Sequence, residues 1–296
     1  MKKILVAGGN GMAGHMITTY LKETKKYDVI NICHSEPLDE KSIILDVLER
    51  EQLIQTLLNI KPNIVINCTG ILTKQADSNP DLAIYVNAYF PRLLEKLGPK
   101  LGFRTIHLST DCVFSGKKGN YTESDIPDAN DMYGRTKALG ELKNDRDLTL
   151  RTSIIGPELK TNGIGLFNWF MQQKGIVNGY TNVFWTGVTT LELAKAIDRA
   201  IGLELTGIIH LVPDNKISKY DLLKKIQNIF SKSDVDIKPF EEIHSDKSLL
   251  RTRSSQLVVP DYDKMLTELR KWIQDHKILF KTYNAYLPSE GEFNGF

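Results

Sequence analysis

Tyr133 and Lys137 stand four residues apart in the run Tyr133-Gly134-Arg135-Thr136-Lys137, a spacing that puts both side chains on one face of a helix. A phenol has an ordinary pKa of about 10 and exchanges protons poorly near neutrality unless a neighbouring cation stabilises its anion. The ammonium of Lys137, one turn away, is such a cation. The pair therefore predicts acid/base chemistry in which Tyr133 protonates a substrate oxygen and Lys137 lowers its pKa. Solvated helix faces carry the same spacing by chance, so a second feature has to support the reading. Leu108-Ser109-Thr110-Asp111 supplies it, because the hydroxyl of Thr110 closes an apolar, β-branched run over Arg104–Leu108. A hydroxyl there can donate a hydrogen bond to the oxygen that Tyr133 protonates, stabilising a developing alkoxide from two sides. A plain strand cap is the competing use of Thr110.

An alkoxide forms when hydride adds to a carbonyl, and the start of the chain carries a loop suited to a hydride donor. The run Lys3–Ala7 leads into Gly8-Gly9-Asn10-Gly11-Met12-Ala13-Gly14, and an apolar helical pattern follows. In that setting Gly8 permits a tight turn, Gly11 and Met12 open a helix whose N–H groups meet a pyrophosphate, and Gly14 lets helix and strand approach. A tight turn that binds nothing is the alternative. Where a carboxylate usually takes the cofactor ribose, the sequence reads Cys33-His34-Ser35-Glu36, without an Asp at the strand end and without an Arg for a 2′-phosphate. The expectation is NADPH with NADH tolerated. His34 is placed at the cofactor or in a solvated loop, and Asp46 at the adenine amino group or at a helix N-cap.

These groups need strands to end beside them. Short runs at Lys3–Ala7, Asp28–Cys33, Asn63–Asn67, Arg104–Leu108 and Leu148–Thr152 read as buried strands. Apolar residues three and four apart mark helices at Met12–Lys22, Val47–Asn59, Leu82–Leu97 and Met132–Lys143. The alternation predicts an α/β, Rossmann-type doubly wound parallel sheet whose strand ends bind ligands; Cys68, Thr69 and Gly70, after the third strand run, are therefore placed along the cofactor. Beyond Gly156 the pattern is irregular, with helices at Thr190–Ile201, Lys216–Phe230 and Asp263–His276 and a strand at Gly207–Val212. The chain is accordingly divided into a dinucleotide-binding domain over 1–156, with part of 181–204 returning to it, and a smaller α+β substrate lobe over 157–296.

Composition excludes several other functions. The 296 residues are 41% hydrophobic, and 38 Lys and Arg against 36 Asp and Glu leave no field to recruit nucleic acid or an anionic membrane. Cys33, Cys68 and Cys112 are scattered, without CxxC pairing, which argues against a disulfide framework or a zinc site; no other residue cluster has metal-ligand spacing. No stretch is long and apolar enough to span a membrane, so a cytoplasmic protein is expected.

Taken together, these residues resemble the extended short-chain dehydrogenase/reductase superfamily and, within it, the dTDP-4-dehydrorhamnose reductase family. Gly8 to Gly14, Asn67, Val86-Asn87, Ser109 to Gly116, Tyr133 to Lys137, Gly140-Glu141 and the Arg-x-x-x-Ser-x-Leu of Arg251 to Leu257 follow the family order. The resemblance implies a 4-keto reductase of nucleotide-diphosphate-linked 6-deoxy sugars in surface-polysaccharide biosynthesis, with Thr110, Tyr133 and Lys137 catalytic. It also implies that Lys137 holds the nicotinamide ribose, that Asn87 steadies the cofactor side, and that a homodimer is possible. Cys112 stands where sugar-nucleotide dehydratases carry a glutamate, which disfavours dehydration. It also stands where the reductase family has an aromatic, and Val188-Thr189-Thr190 replaces a family proline, leaving the sugar and its nucleotide open. A cofactor-retaining epimerase is one alternative; the chain also resembles the non-catalytic regulatory subunit of methionine adenosyltransferase.

For the substrate, the aromatics of Leu166–Phe170, Tyr180, Phe184 and Trp185 offer stacking surfaces for a nucleobase, with Asn162 or Asn168 reading its edge. Arg151 and Arg251 are placed as guanidinium clamps on the diphosphate, and Glu141 as a residue that orients its own helix.

Overall fold

The computed structural model describes residues 1–286 apart from Thr161 and Ser254, so the last ten residues of the substrate lobe lie outside the described residues. The glycine loop begins at the end of β1 (Lys2–Ala7), whose residues alternate between two cores. Ile4 and Val6 join Met16, Ile17 and Leu21 of α1 (Met12–Glu23) on one face, and Leu5 and Ala7 join Leu53 and Leu57 of α2 (Arg50–Ile60) on the other. Each fully buried aliphatic side chain of this kind contributes roughly 1.5–3 kcal/mol. A strand buried on both faces thus needs the unbroken apolar run that the sequence has, with helices above and below.

β1 pairs on one side with β2 (Tyr27–Cys33), which pairs with β3 (Ser42–Ile44), and on the other side with β4 (Ile64–Asn67). β5 (Arg104–Thr110), β6 (Leu148–Thr152) and a seventh strand at Gly207–His210 follow outward from β4, and every pairing is parallel. The order of strands reverses between β1 and β4, opening a crevice at their carboxyl ends where such sheets bind ligands. The helix Thr190–Gly202 packs on α1, and the strand that follows it enters the main sheet beside β6.

Three helices differ from the periodic reading. α2 starts at Arg50 because Asp46–Glu49 form a turn, in which the Asp46 carboxylate accepts from the Leu48 amide. The stretch Pro80–Leu101 is interrupted by a π-helical segment at Ile84–Tyr89, a distortion common beside functional sites. The tyrosine helix is short, Met132–Leu139, and stops at Gly140, where a Cβ would fall 2.0 Å from the Asn87 carbonyl oxygen.

The remaining strands are small. Gly175–Tyr180 pairs with Val235–Phe240, Val183–Trp185 lies between Ile217–Ser218 and Ser245–Asp246, and Ile154–Ile155 pairs with Val188–Thr189. Among the described residues no helix is long and apolar enough to cross a membrane.

Candidate active site

The glycine loop crosses the crevice between β1 and β4. Gly8 has φ +85°, and its amide donates to the Ile32 carbonyl of β2. A Cβ at Gly14 would lie 2.0 Å from the Gly8 carbonyl oxygen, so the helix–loop approach requires glycine there. At Gly11, by contrast, an added Cβ would meet only the Gly8 oxygen, at 3.4 Å, which leaves space above the first turn of α1. No side chain caps that turn and no acidic residue occupies it. An uncapped, uncrowded helix N-terminus favours a phosphate, and these residues fit the pyrophosphate of a dinucleotide.

From there a cavity of about 520 Å³ runs past Met12, Cys68, Thr69 and Gly70 to Thr110, Tyr133 and Lys137. Asn87, on the π-helical segment, accepts from the Ile71 amide at 2.9 Å and donates to the Ile71 carbonyl at 2.9 Å and to the Thr136 hydroxyl at 3.1 Å. It thereby ties the loop after β4 to the tyrosine helix. His34 and Asp46 lie beyond the carboxyl ends of β2 and β3, 3.4 Å apart, and line neither this cavity nor the second one described below.

The structure brings together the three residues expected to do the chemistry. Thr110 ends β5, and its hydroxyl donates to Asp111 at 3.1 Å while accepting the Cys112 amide at 3.1 Å. Tyr133 is held against this strand end because Gly134 permits close contact; a Cβ there would lie 2.2 Å from the Cys112 carbonyl oxygen. Burial pushes the Tyr133 phenol well above its ordinary pKa, and a hydrogen bond with Thr110 opposes the shift. Lys137 donates to the Leu108 carbonyl at 2.6 Å, and burial lowers its pKa to about 8. The phenol is therefore held protonated, and the Lys137 ammonium, one turn along the helix and expected to lower the tyrosine pKa, donates to the strand carbonyl.

The substrate residues fare differently. Arg151 is fully buried in β6, its guanidinium gripping both oxygens of Glu141 at 2.6 and 2.7 Å and facing His210 at 3.3 Å. It cannot clamp a diphosphate. Glu141, which also accepts from Ser109 at 2.8 Å, locks β5 to β6 instead of serving its own helix alone. Arg251 donates to the Leu257 carbonyl and to Asp214 at 2.9 Å and lines neither cavity, so its motif closes a surface loop. Asn168 is buried between the Gly163 carbonyl and the Tyr283 hydroxyl, both within 2.8 Å, and Trp185 is buried against Tyr262. Burial in the lobe core removes both from base recognition. Asn162 is exposed and lines neither cavity.

A second cavity, of about 730 Å³, lies in the lobe and meets the first at Ile164. Trp169, Tyr180, Asn178, Gln173 and Lys219 line it. Trp169 and Tyr180 belong to the aromatic stretches singled out in the sequence. Asn178, Gln173 and Lys219 carry no motif that could have marked them, since the lobe assembles its wall from separate short elements. Among the described residues no group of three or more His, Cys, Asp or Glu could hold a metal ion.

Residues 1–285 match the family model described as the RmlD substrate binding domain. The dTDP-4-dehydrorhamnose reductase of Aggregatibacter actinomycetemcomitans is 29% identical over 233 residues, covering 75% of this chain and 76% of that one. Methionine adenosyltransferase 2 subunit beta of Xenopus laevis is 30% identical over 143 residues, covering 47% of this chain and 42% of its own. The crystal structure of a dTDP-4-dehydrorhamnose reductase from Clostridium acetobutylicum superposes with a TM-score of 0.78 at 25% identity, covering 92% of this chain and 99% of that one.

Proposed function

The chain belongs to the RmlD substrate binding domain family, and from that membership and the cleft geometry we propose that it is an NAD(P)H-dependent reductase of the 4-keto group of a nucleotide-diphosphate-linked 6-deoxy sugar. The observation that carries the reading is the convergence of Thr110, Tyr133 and Lys137 at the end of a cavity that starts over the glycine loop. When bound there, a reduced nicotinamide dinucleotide supplies hydride; NADPH is our first choice and NADH the second. The loop from Gly8 to Gly14 and the first turn of α1 hold its pyrophosphate.

Tyr133 transfers its phenolic proton to the former carbonyl oxygen as hydride arrives at the carbon, so the ketone becomes a secondary alcohol. The raised phenol pKa keeps that proton in place at neutral pH. The Thr110 hydroxyl turns from Asp111 to the same oxygen and donates a second hydrogen bond, stabilising charge where it develops. Lys137 holds the ribose side of the cofactor, and its ammonium stabilises the phenolate left when Tyr133 gives up its proton, which water then replaces. Asn87 positions both through Ile71 and Thr136.

We propose that the cofactor unit comprises 1–156 with the 190–210 return, and that the rest of the chain forms the substrate lobe. The unpaired thiols of Cys33, Cys68 and Cys112 support work in a reducing cytoplasm.

The partial match to the adenosyltransferase subunit favours one other reading, a non-catalytic dinucleotide-binding partner. Nicotinamide absorbance with dTDP- and UDP-linked 4-keto-6-deoxy sugars separates the two. Substrate-dependent NADPH oxidation that falls by about 10²–10⁴-fold in Tyr133→Phe, with cofactor affinity unchanged, is the expected result. Undiminished turnover in that variant removes Tyr133 as the acid, and no oxidation by a protein that binds NADPH removes the reductase.

A further inference from the structure

Lys219 lines the aromatic cavity and feels the charge of Asp111 and Cys112, which line the cofactor cleft. It is the first residue of the helix Lys219–Ile229, and it is the one charged side chain lining the aromatic cavity among the described residues. Its ammonium lies 5.7 Å from the Trp185 ring centroid, and among the described residues no hydrogen bond or salt bridge engages it. Helix stability does not explain the placement, because a cation at a helix N-terminus opposes the macrodipole. Ser218 caps this helix and Asp221 occupies its first turn, so the ammonium of Lys219, rather than the helix end, is the group that suits an anion.

We propose that Lys219 binds the diphosphate of the sugar nucleotide from the wall of the aromatic cavity, so that the sugar reaches Tyr133 and Thr110 while the base lies against Trp169 and Tyr180. The inference rests on the sugar-nucleotide reading above and replaces the arginine clamps that burial and loop contacts rule out. The geometry orders the substrate. Asp111 lines the cleft on the sugar side, Ile164 lines both cavities, and the half-exposed rings of Trp169 and Tyr180 line the far one. Burial lowers the Lys219 pKa, and the neighbouring Asp111 and Cys112 oppose that shift. Lys247 also acts on Asp111 but lines neither cavity.

The test is calorimetric titration of the NADP⁺-saturated protein with UDP, dTDP and GDP and with the matching monophosphates. Wild type should prefer the diphosphate of one base. Lys219→Met should weaken that diphosphate about tenfold and collapse its advantage over the monophosphate, Lys219→Arg should restore it, and Lys247→Met should leave it alone. Unchanged NADPH affinity confirms that each variant is folded, with Lys219→Gln as a second neutral substitution. A diphosphate preference that survives in both neutral variants, or that disappears in Lys247→Met, overturns the assignment and leaves the reductase standing. Failure of wild type to bind any of the three diphosphates while binding NADPH overturns the sugar-nucleotide reading itself, and this inference with it.

Discussion

Replacing Arg151 by methionine separates a structural from a substrate-binding guanidinium. The side chain has about the right volume for its slot in β6, but the substitution leaves the Glu141 carboxylate buried at 0% exposure with the Ser109 hydroxyl as its remaining hydrogen-bond donor. Breaking a buried, hydrogen-bonded ion pair from one side costs about 3–5 kcal/mol. At about 2–4 °C per kcal/mol for a chain of this size, Tm should fall by roughly 6–20 °C. Removing both charges in Glu141→Leu/Arg151→Met should recover much of the loss, because only the neutral Ser109 hydroxyl and His210 Nε2 then lack partners, at about 1–3 kcal/mol each. Thermal and urea unfolding of the wild type, the two single variants and the double variant give the coupling energy, expected to be at least about 2 kcal/mol. NADPH affinity and the substrate KM are measured on the same proteins, below the variants' melting range, and should change little. An Arg151→Met protein that melts within about a degree of wild type yet raises the substrate KM tenfold would refute the reasoning and return Arg151 to the substrate.

Two further perturbations probe the catalytic face. Below a pH of about 8 both folded and unfolded chains hold the Lys137 proton, and the full cost of burying the charge is present; between about 8 and 10.5 only the unfolded chain holds it. Stability of the ligand-free protein should therefore rise with pH across that window, by up to about 3 kcal/mol relative to Lys137→Met. Parallel pH profiles of the two proteins, by urea unfolding, would contradict the buried charge. Gly134→Ala puts a methyl group 2.2 Å from the Cys112 carbonyl oxygen, so the tyrosine helix must shift away from the end of β5. A stability loss of about 1–3 kcal/mol and a kcat lowered by more than tenfold, with NADPH binding retained, are expected. Unaltered kcat would mean that this close approach does not set the position of Tyr133.

The sequence by itself determined the sheet and the chemistry at its edge. Strands buried on both faces must be apolar throughout, so Lys3–Ala7 and Asn63–Asn67 announced themselves, and Gly8 and Gly14 are local requirements of one turn while Gly11 leaves room above it. The Tyr133 and Lys137 spacing is likewise local, since one helical turn fixes it whatever surrounds it. The end of the Arg104–Leu108 run marked Thr110, and family order added Asn87. The folded chain, not the sequence, takes both arginines away from the cavities, because what packs against each shows only there: Glu141 and His210 around Arg151, Asp214 and a loop carbonyl around Arg251. It also decided how deeply Lys137 and Tyr133 are buried, as desolvation depends on the walls of the cleft and not on spacing along a helix. Lys219 was invisible for the same reason: a charge at the start of an amphipathic helix reads as solvated until Ile164, Trp169 and Tyr180, dozens of residues away in the chain, close a cavity around it.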